Sequence, residues 1–243
     1  MGGDHWAVLL NPLSCRAILF DLDGVLVDSS ACVEQHWRRW ATLHGFDVQA
    51  ILRVGHGRRT EETIAAVAPH LDAASEAAML TRSEETQTDG VRSVPGARSL
   101  LLGLPADAWA IVTSGNTATA LTRIRHCNLP EPRVLVSADR VSRGKPHPEP
   151  YLLAAQRLEI APGDCIVVED TPHGIAAGQA AGMHVIAIAS TFAASALHDA
   201  EVIVDNLRAL NVHRGPGGAK GRLDIEVSHR LRMGSPPGSC GPQ

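Results

Sequence analysis

Six short apolar runs, at 17–20, 110–112, 134–136, 166–168, 185–188 and 202–204, recur along this chain with helical-looking sequence between most of them. Each has strand length and no polar alternation, which suits a strand buried on both faces. Strands alternating with helices at this spacing predict βαβ units and an α/β fold, with a parallel sheet covered on both sides. In such sheets ligands bind beyond the carboxyl ends of the strands. Three of those ends are polar: Asp21 and Asp23 after the first run, Thr113-Ser114-Gly115 after the second, and Glu169-Asp170 after the fourth.

The first of these ends is the most informative. In Ile18-Leu19-Phe20-Asp21-Leu22-Asp23-Gly24, side chains at i and i+2 share a strand face, so Asp21 and Asp23 are neighbours of like charge. Two such charges are costly together unless a cation sits nearby or one carboxyl stays protonated. One carboxylate acting as nucleophile and the other as acid/base, beside Mg²⁺, accounts for the pair. A plain strand running into an Asp-Gly turn is the alternative.

Asp170 closes the run Cys165-Ile166-Val167-Val168-Glu169, and Thr171-Pro172 suit the N-cap and first position of a helix. A helix dipole accounts for one acid there better than for two. Ligation of a hard cation that takes carboxylates, waters and phosphate oxygens accounts for both. Asp21, Asp170 and the backbone carbonyl of Asp23 would supply three positions. Thr113-Ser114-Gly115-Asn116 puts a hydroxyl and backbone N–H groups at the start of a helix over 117–125, a phosphate cradle, although such residues are also ordinary caps.

Lys145 lies in Arg143-Gly144-Lys145-Pro146-His147-Pro148, where Gly and Pro hold it in a loop. Two unit charges ~4 Å apart at an effective dielectric of ~20 interact by about 4 kcal/mol. A phosphate dianion therefore cannot approach Asp21 unaided, and Mg²⁺ with Lys145 removes that barrier; a solvated loop lysine is the plainer reading. Gly55-His56-Gly57-Arg58-Arg59-Thr60 permits a sharp loop from which Arg58 or Arg59 reaches an anionic or hydroxyl-rich substrate. A basic loop at a helix start fits those residues equally. His36, His44 and His56 show no metal spacing, and His147 and His173 flank the polar edge.

Between Ser29 and Ser93 the strand signal stops, and 34–44, 60–67 and 73–86 have helical spacing. Some sixty residues exceed what one crossover needs, so this stretch reads as a helical insertion covering the polar edge. From Arg214 on the chain turns Gly- and Pro-rich, and 213–243 is expected to be a disordered tail, with a short segment over Leu223–Val227 as the alternative. The net charge of −4 and the few aromatics (one Tyr, three Phe, four Trp) argue against nucleic acid as a partner. Cys15, Cys32, Cys127, Cys165 and Cys240 include no CxxC pair and read as free thiols. No apolar run reaches transmembrane length, and the first residues carry Asp4 and no basic region, so a cytoplasmic protein is expected.

Taken in order, ILFDLDGVLVDSS, IVTSGN, RGKPHPEPY and VVEDTPHGIAAGQAAGM resemble the haloacid dehalogenase-like (HAD) hydrolase superfamily, in its sugar-phosphatase and phosphoglucomutase-like branch. The resemblance spans about residues 14–212. It implies a Rossmann-like core over 14–31 and 94–212, with a helical cap of the C1 type over 32–93. It further implies Asp21 as nucleophile, Asp23 as general acid/base, and Thr113 and Lys145 as phosphate binders. Glu169 and Asp170 would match the acidic Mg²⁺ site, with Asp21 and Asp23.

The activity implied is hydrolysis of a small phosphorylated metabolite through an aspartyl-phosphate. Asp23 argues against the dehalogenases, which lack the second aspartate. Phosphoglucomutase-like relatives carry a histidine about where Val33 stands, which favours hydrolysis here. His36, one turn further on, keeps a hexose phosphate mutase as the alternative. The loop HGRRTEET looks most like that of phosphatases acting on hexose, deoxyhexose or polyol phosphates. A module that binds phosphometabolites without turnover would be betrayed by a missing catalytic residue, and none is missing.

Overall fold

The computed structural model describes residues 12–215 and 221–228. β1 (Leu13–Cys15) leads into β2 (Ala17–Phe20) and the short β3 (Val27–Asp28). Four helices follow: α1 (Ser30–His44), α2 (Val48–Gly55), α3 (Thr60–Val67) and α4 (Ala73–Glu84). β4 (Arg92–Ser93) returns antiparallel against β3. Then come α5 (Ala97–Gly103), β5 (Trp109–Val112), α6 (Thr117–His126), β6 (Leu135–Val136), α7 (Glu149–Leu158), β7 (Cys165–Glu169) and α8 (Pro172–Ala180). β8 (His184–Ile188), β9 (Val202–Val204), β10 (Leu210–Arg214) and β11 (Leu223–Val227) complete the described chain.

All six expected runs became strands of one parallel sheet, in the order β6-β5-β2-β7-β8-β9. Their residues divide by parity between two cores, as the pleat requires. Ile18 and Phe20, Trp109 and Ile111, and Ile166 and Val168 face one side, with Leu101 of α5 and Ile124 of α6. Ala17 and Leu19, Ala110 and Val112, and Cys165 and Val167 face the other, with Tyr151 of α7 and Ile175 of α8. Covering both faces is what made the strands read as unbroken apolar runs. In register, Phe20 pairs with Ile111 on one side and Val168 on the other, so the strand ends lie level.

The β3–β4 pair carries the chain away from that edge and back. Between them α1–α4 pack on one another around a separate core that includes Trp37, Trp40, Ile51, Ile64 and Leu80. Trp40 stacks on Phe46 at 5.4 Å between ring centroids. Asp47 caps α2 and Asp72 caps α4, each accepting from backbone N–H groups of the first turn. No helix was expected over Val48–Gly55, which is only two turns long.

The tail expectation needs correcting. Arg214 ends β10, and Leu223–Val227 form β11, paired antiparallel with β10 and β1. Leu223, Ile225 and Val227 are buried against the first core, while Asp224 and Glu226 face away. That period of two is a strand signal, and the flanking Gly and Pro residues mask it. Residues 216–220 and 229–243, including Cys240, lie outside the described residues. Cys15, Cys32, Cys127 and Cys165 are free and buried. Among the described residues, no helix is long and apolar enough to cross a membrane.

Candidate active site

Asp21 emerges from β2 between the ends of β5 and β7, its N–H donating to the Val168 carbonyl at 2.9 Å. Leu22 turns back into the core, so Asp21 and Asp23 share the outward face, as the spacing predicts. Gly24, at φ 84°, closes the turn; a Cβ there would stand 1.9 Å from Asp170 Oδ2. The β2 turn and the end of β7 are therefore in backbone-to-carboxylate contact, which only glycine allows.

Seven of the expected residues line one cleft: Asp21, Asp23, Arg58, Thr113, Ser114, Gly115 and Asp170. Its volume is about 830 Å³ with the open mouth included. Lys145 and Glu169 lie directly behind it, 2% and 0% exposed.

Behind the cleft the Lys145 ammonium uses all three of its donors. It reaches Asp21 Oδ1 at 2.7 Å, the Val112 carbonyl at 3.0 Å and Glu169 Oε1 at 2.6 Å. Expected to touch phosphate, it is bonded here to the Asp21 carboxylate. Glu169 is saturated too. Its Oε1 also accepts from the Tyr151 hydroxyl at 2.8 Å, and its Oε2 from the N–H groups of Asp170 and Thr171 and the Thr171 hydroxyl. Gly174 makes room for it, since a Cβ there would lie 1.7 Å from Oε1. Glu169, expected at the metal site, lies beside Asp21 and Asp170, and its oxygens also hold Lys145 and the start of α8.

Asp170 is the opposite case: its Oδ1 is buried and has no hydrogen-bond partner. Carboxylate oxygens of Asp21, Glu169 and Asp170 lie within 4.8 Å of one another. Burial pushes the Asp21 carboxyl up to about 7; Lys145 pulls against that, and Glu169 and Asp23 push with it. Burial, then the charges of Glu169 and Asp21, hold Asp170 well above the carboxylate range. Glu169 alone ends below its ordinary value, because Lys145, Tyr151 and the Asp170 N–H outweigh its burial. Three acids share one ammonium. An orphaned oxygen inside an excess of negative charge fits a hard divalent cation.

Asp23 is held differently. Its Oδ1 accepts from Ser29 Oγ at 2.6 Å and from Arg123 Nη1 at 2.7 Å. Sequence reasoning passed over Arg123. A signal was there: the buried stripe of α6 is Thr119, Ala120, Arg123 and Ile124, and an arginine in such a stripe needs a partner.

The loop between α2 and α3 closes over this edge through polar contacts. Ser114, expected to cradle phosphate, donates its hydroxyl to the Gly57 carbonyl at 2.9 Å. Arg58 Nε donates to His173 Nε2 at 3.0 Å, while His173 Nδ1 meets the His56 carbonyl at 3.2 Å. That pairing makes His173 the neutral Nδ1–H tautomer. Asn116 donates to Glu85 at 2.8 Å and adds a contact from the end of α4. His36 stays inside the insertion, 1% exposed and bonded to Gln87 at 2.7 Å. Val33, not His36, lines the cleft.

Known proteins share this arrangement of sequence and fold. Residues 18–188 match the model of the haloacid dehalogenase-like hydrolase family. Hexitol phosphatase A of Escherichia coli is 41% identical over 214 residues, 85% of this chain and 98% of that protein. Glycerol-1-phosphate phosphohydrolase 2 of Saccharomyces cerevisiae is 36% identical over 218 residues, 83% of this chain and 87% of that one. In fold, the chain resembles CbbY from Rhodobacter sphaeroides, crystallised with phosphate. The TM-score is 0.68 at 22% identity, covering 79% of this chain and 94% of that one. With its strand-end acids, its parallel sheet and a family match over most of its length, this chain belongs to the haloacid dehalogenase-like hydrolases.

Proposed function

We propose that this protein is a Mg²⁺-dependent phosphomonoester hydrolase acting on a small sugar or polyol phosphate. The observation that carries the reading is the meeting of Asp21, Asp23, Thr113 and Asp170 in one cleft with Lys145 bonded to Asp21 behind them. The phosphatases related to this chain support it. So does the mixed lining under the helical cap, where Ser30, Arg58 and Glu84 stand beside Val33 and Trp37.

Lys145 holds Asp21 Oδ1, leaving Oδ2 to attack phosphorus in line. As that O–P bond forms, the bond from phosphorus to the sugar oxygen breaks, and Asp23 gives its proton to the departing alkoxide. Ser29 and Arg123 both occupy Asp23 Oδ1, so Oδ2 is the oxygen that carries the proton. Asp23 then takes a proton from water, whose oxygen attacks the aspartyl-phosphate and frees Asp21. Asp21, Asp170 and the Asp23 backbone carbonyl would hold Mg²⁺, which would supply positive charge to offset the phosphate and the acids. Thr113 and Gly115, which line the cleft, would receive the phosphoryl oxygens. The cap contacts exclude bulk water.

The mutase alternative loses support here, because apolar Val33 faces the cleft and His36 does not. Phosphate release from a panel of sugar and polyol phosphates, with and without Mg²⁺, tests the proposal. Asp21→Asn should lower turnover by about three orders of magnitude or more while the fold is retained. Unchanged turnover in that variant would overturn the nucleophile assignment.

A further inference from the structure

Arg123 does more than its bond to Asp23 requires. The residue is 4% exposed and lines the cleft, yet only Nη1 has a partner; Nε and Nη2 are buried without one. Glu84, the last residue of α4, lines the same cleft. No described residue donates a hydrogen bond to it. Its contact is His36 Nδ1 at 3.6 Å, an atom itself without a hydrogen-bond partner. Glu84 and Arg123 form no direct ion pair, so opposite charges face the cleft with their hydrogen-bonding capacity unspent.

Few ligand groups satisfy both. A carboxylate or a second phosphate would be repelled by Glu84, and an ammonium by Arg123. An alkyl group would strip water from two charges and return nothing. A hydroxyl accepts from a guanidinium and donates to a carboxylate at once. Because Arg123 is bonded to Asp23, which must reach the departing oxygen, that hydroxyl belongs on carbons close to the ester. We propose that Arg123 and Glu84 together bind a hydroxyl of the leaving group near the phosphorylated carbon, and so select polyhydroxylated substrates over plain alkyl phosphates. This rests on the phosphatase reading above.

The experiment compares kcat/KM for sorbitol 6-phosphate and glycerol 3-phosphate with that for butyl phosphate, whose leaving alkoxide needs the same protonation but carries no hydroxyl. Wild-type protein should prefer the hydroxylated substrates. In Glu84→Ala the preference should fall about 10- to 100-fold, and in the near-isosteric Glu84→Gln, which keeps an acceptor, by less. If both variants keep their melting temperature and the wild-type preference, water alone fills the gap and the proposal is overturned. An equal loss on butyl phosphate would also overturn it, since recognition of a hydroxyl cannot act there. Wild-type protein that releases phosphate from none of the three would instead overturn the phosphatase reading, and this proposal with it.

Discussion

In the proposed mechanism Arg123 acts through the second aspartate, to which it is bonded. Its guanidinium and the Ser29 hydroxyl both take Asp23 Oδ1, which leaves Oδ2 for the proton transfer proposed above. In Arg123→Met the side-chain volume is kept, and Asp23, whose side chain is 27% exposed, stays solvated. Turnover of an alkyl phosphate should fall about 10- to 100-fold. The loss on p-nitrophenyl phosphate should be smaller, because its phenolate leaves without a proton. Equal losses on both would show that Arg123 does not act through Asp23. At this scale the strand-end acids were legible, because a charge ending an apolar run has few explanations. The duties of Lys145 and Glu169 were not. Lys145 spends its three donors on Asp21, Val112 and Glu169, partners 124, 33 and 24 residues away in the chain.

The loop between α2 and α3 and the start of α8 act as one latch. His173 accepts from Arg58 only while neutral. Burial and the nearby Arg58 charge hold its value below the usual histidine range. A depressed folded value means the contact is complete above the ordinary histidine pKa and is lost as pH falls through the lowered one. Between about pH 7.5 and 5.5, KM should therefore rise more steeply in the wild type than in His173→Gln, which cannot protonate. Parallel profiles would remove His173 from substrate binding. Most of the elements were readable. All six strands of the large sheet and three of the four inserted helices were expected, the strands from unbroken apolar runs and the helices from their spacing. The short α2 offers little periodicity, and β11 hides its alternation among glycines and prolines.

Across the whole molecule, one ammonium among three buried carboxylates is a folding penalty that substrate chemistry requires. The raised values of Asp21, about 7, and Asp170 mean the folded, metal-free protein binds protons that the unfolded chain has released. These two groups therefore contribute stability that is complete below the ordinary carboxylate range and is lost as pH rises through about 7. Mg²⁺ should offset this by binding the folded form alone. Its thermal shift should be larger at pH 8 than at pH 5.5, by roughly 5 °C or more, and EDTA should reverse it. A shift independent of pH would separate the cation from these acids. By itself the sequence determined the parallel sheet and which of its ends are charged, because the period of apolar residues and the position of acids are local properties of the chain. Only the tertiary structure decided which acid is saturated and which is orphaned, and that an arginine on α6 answers an aspartate after β2. Those assignments depend on side-chain distances between segments a hundred residues apart, and hydrogen bonds act over about 3 Å.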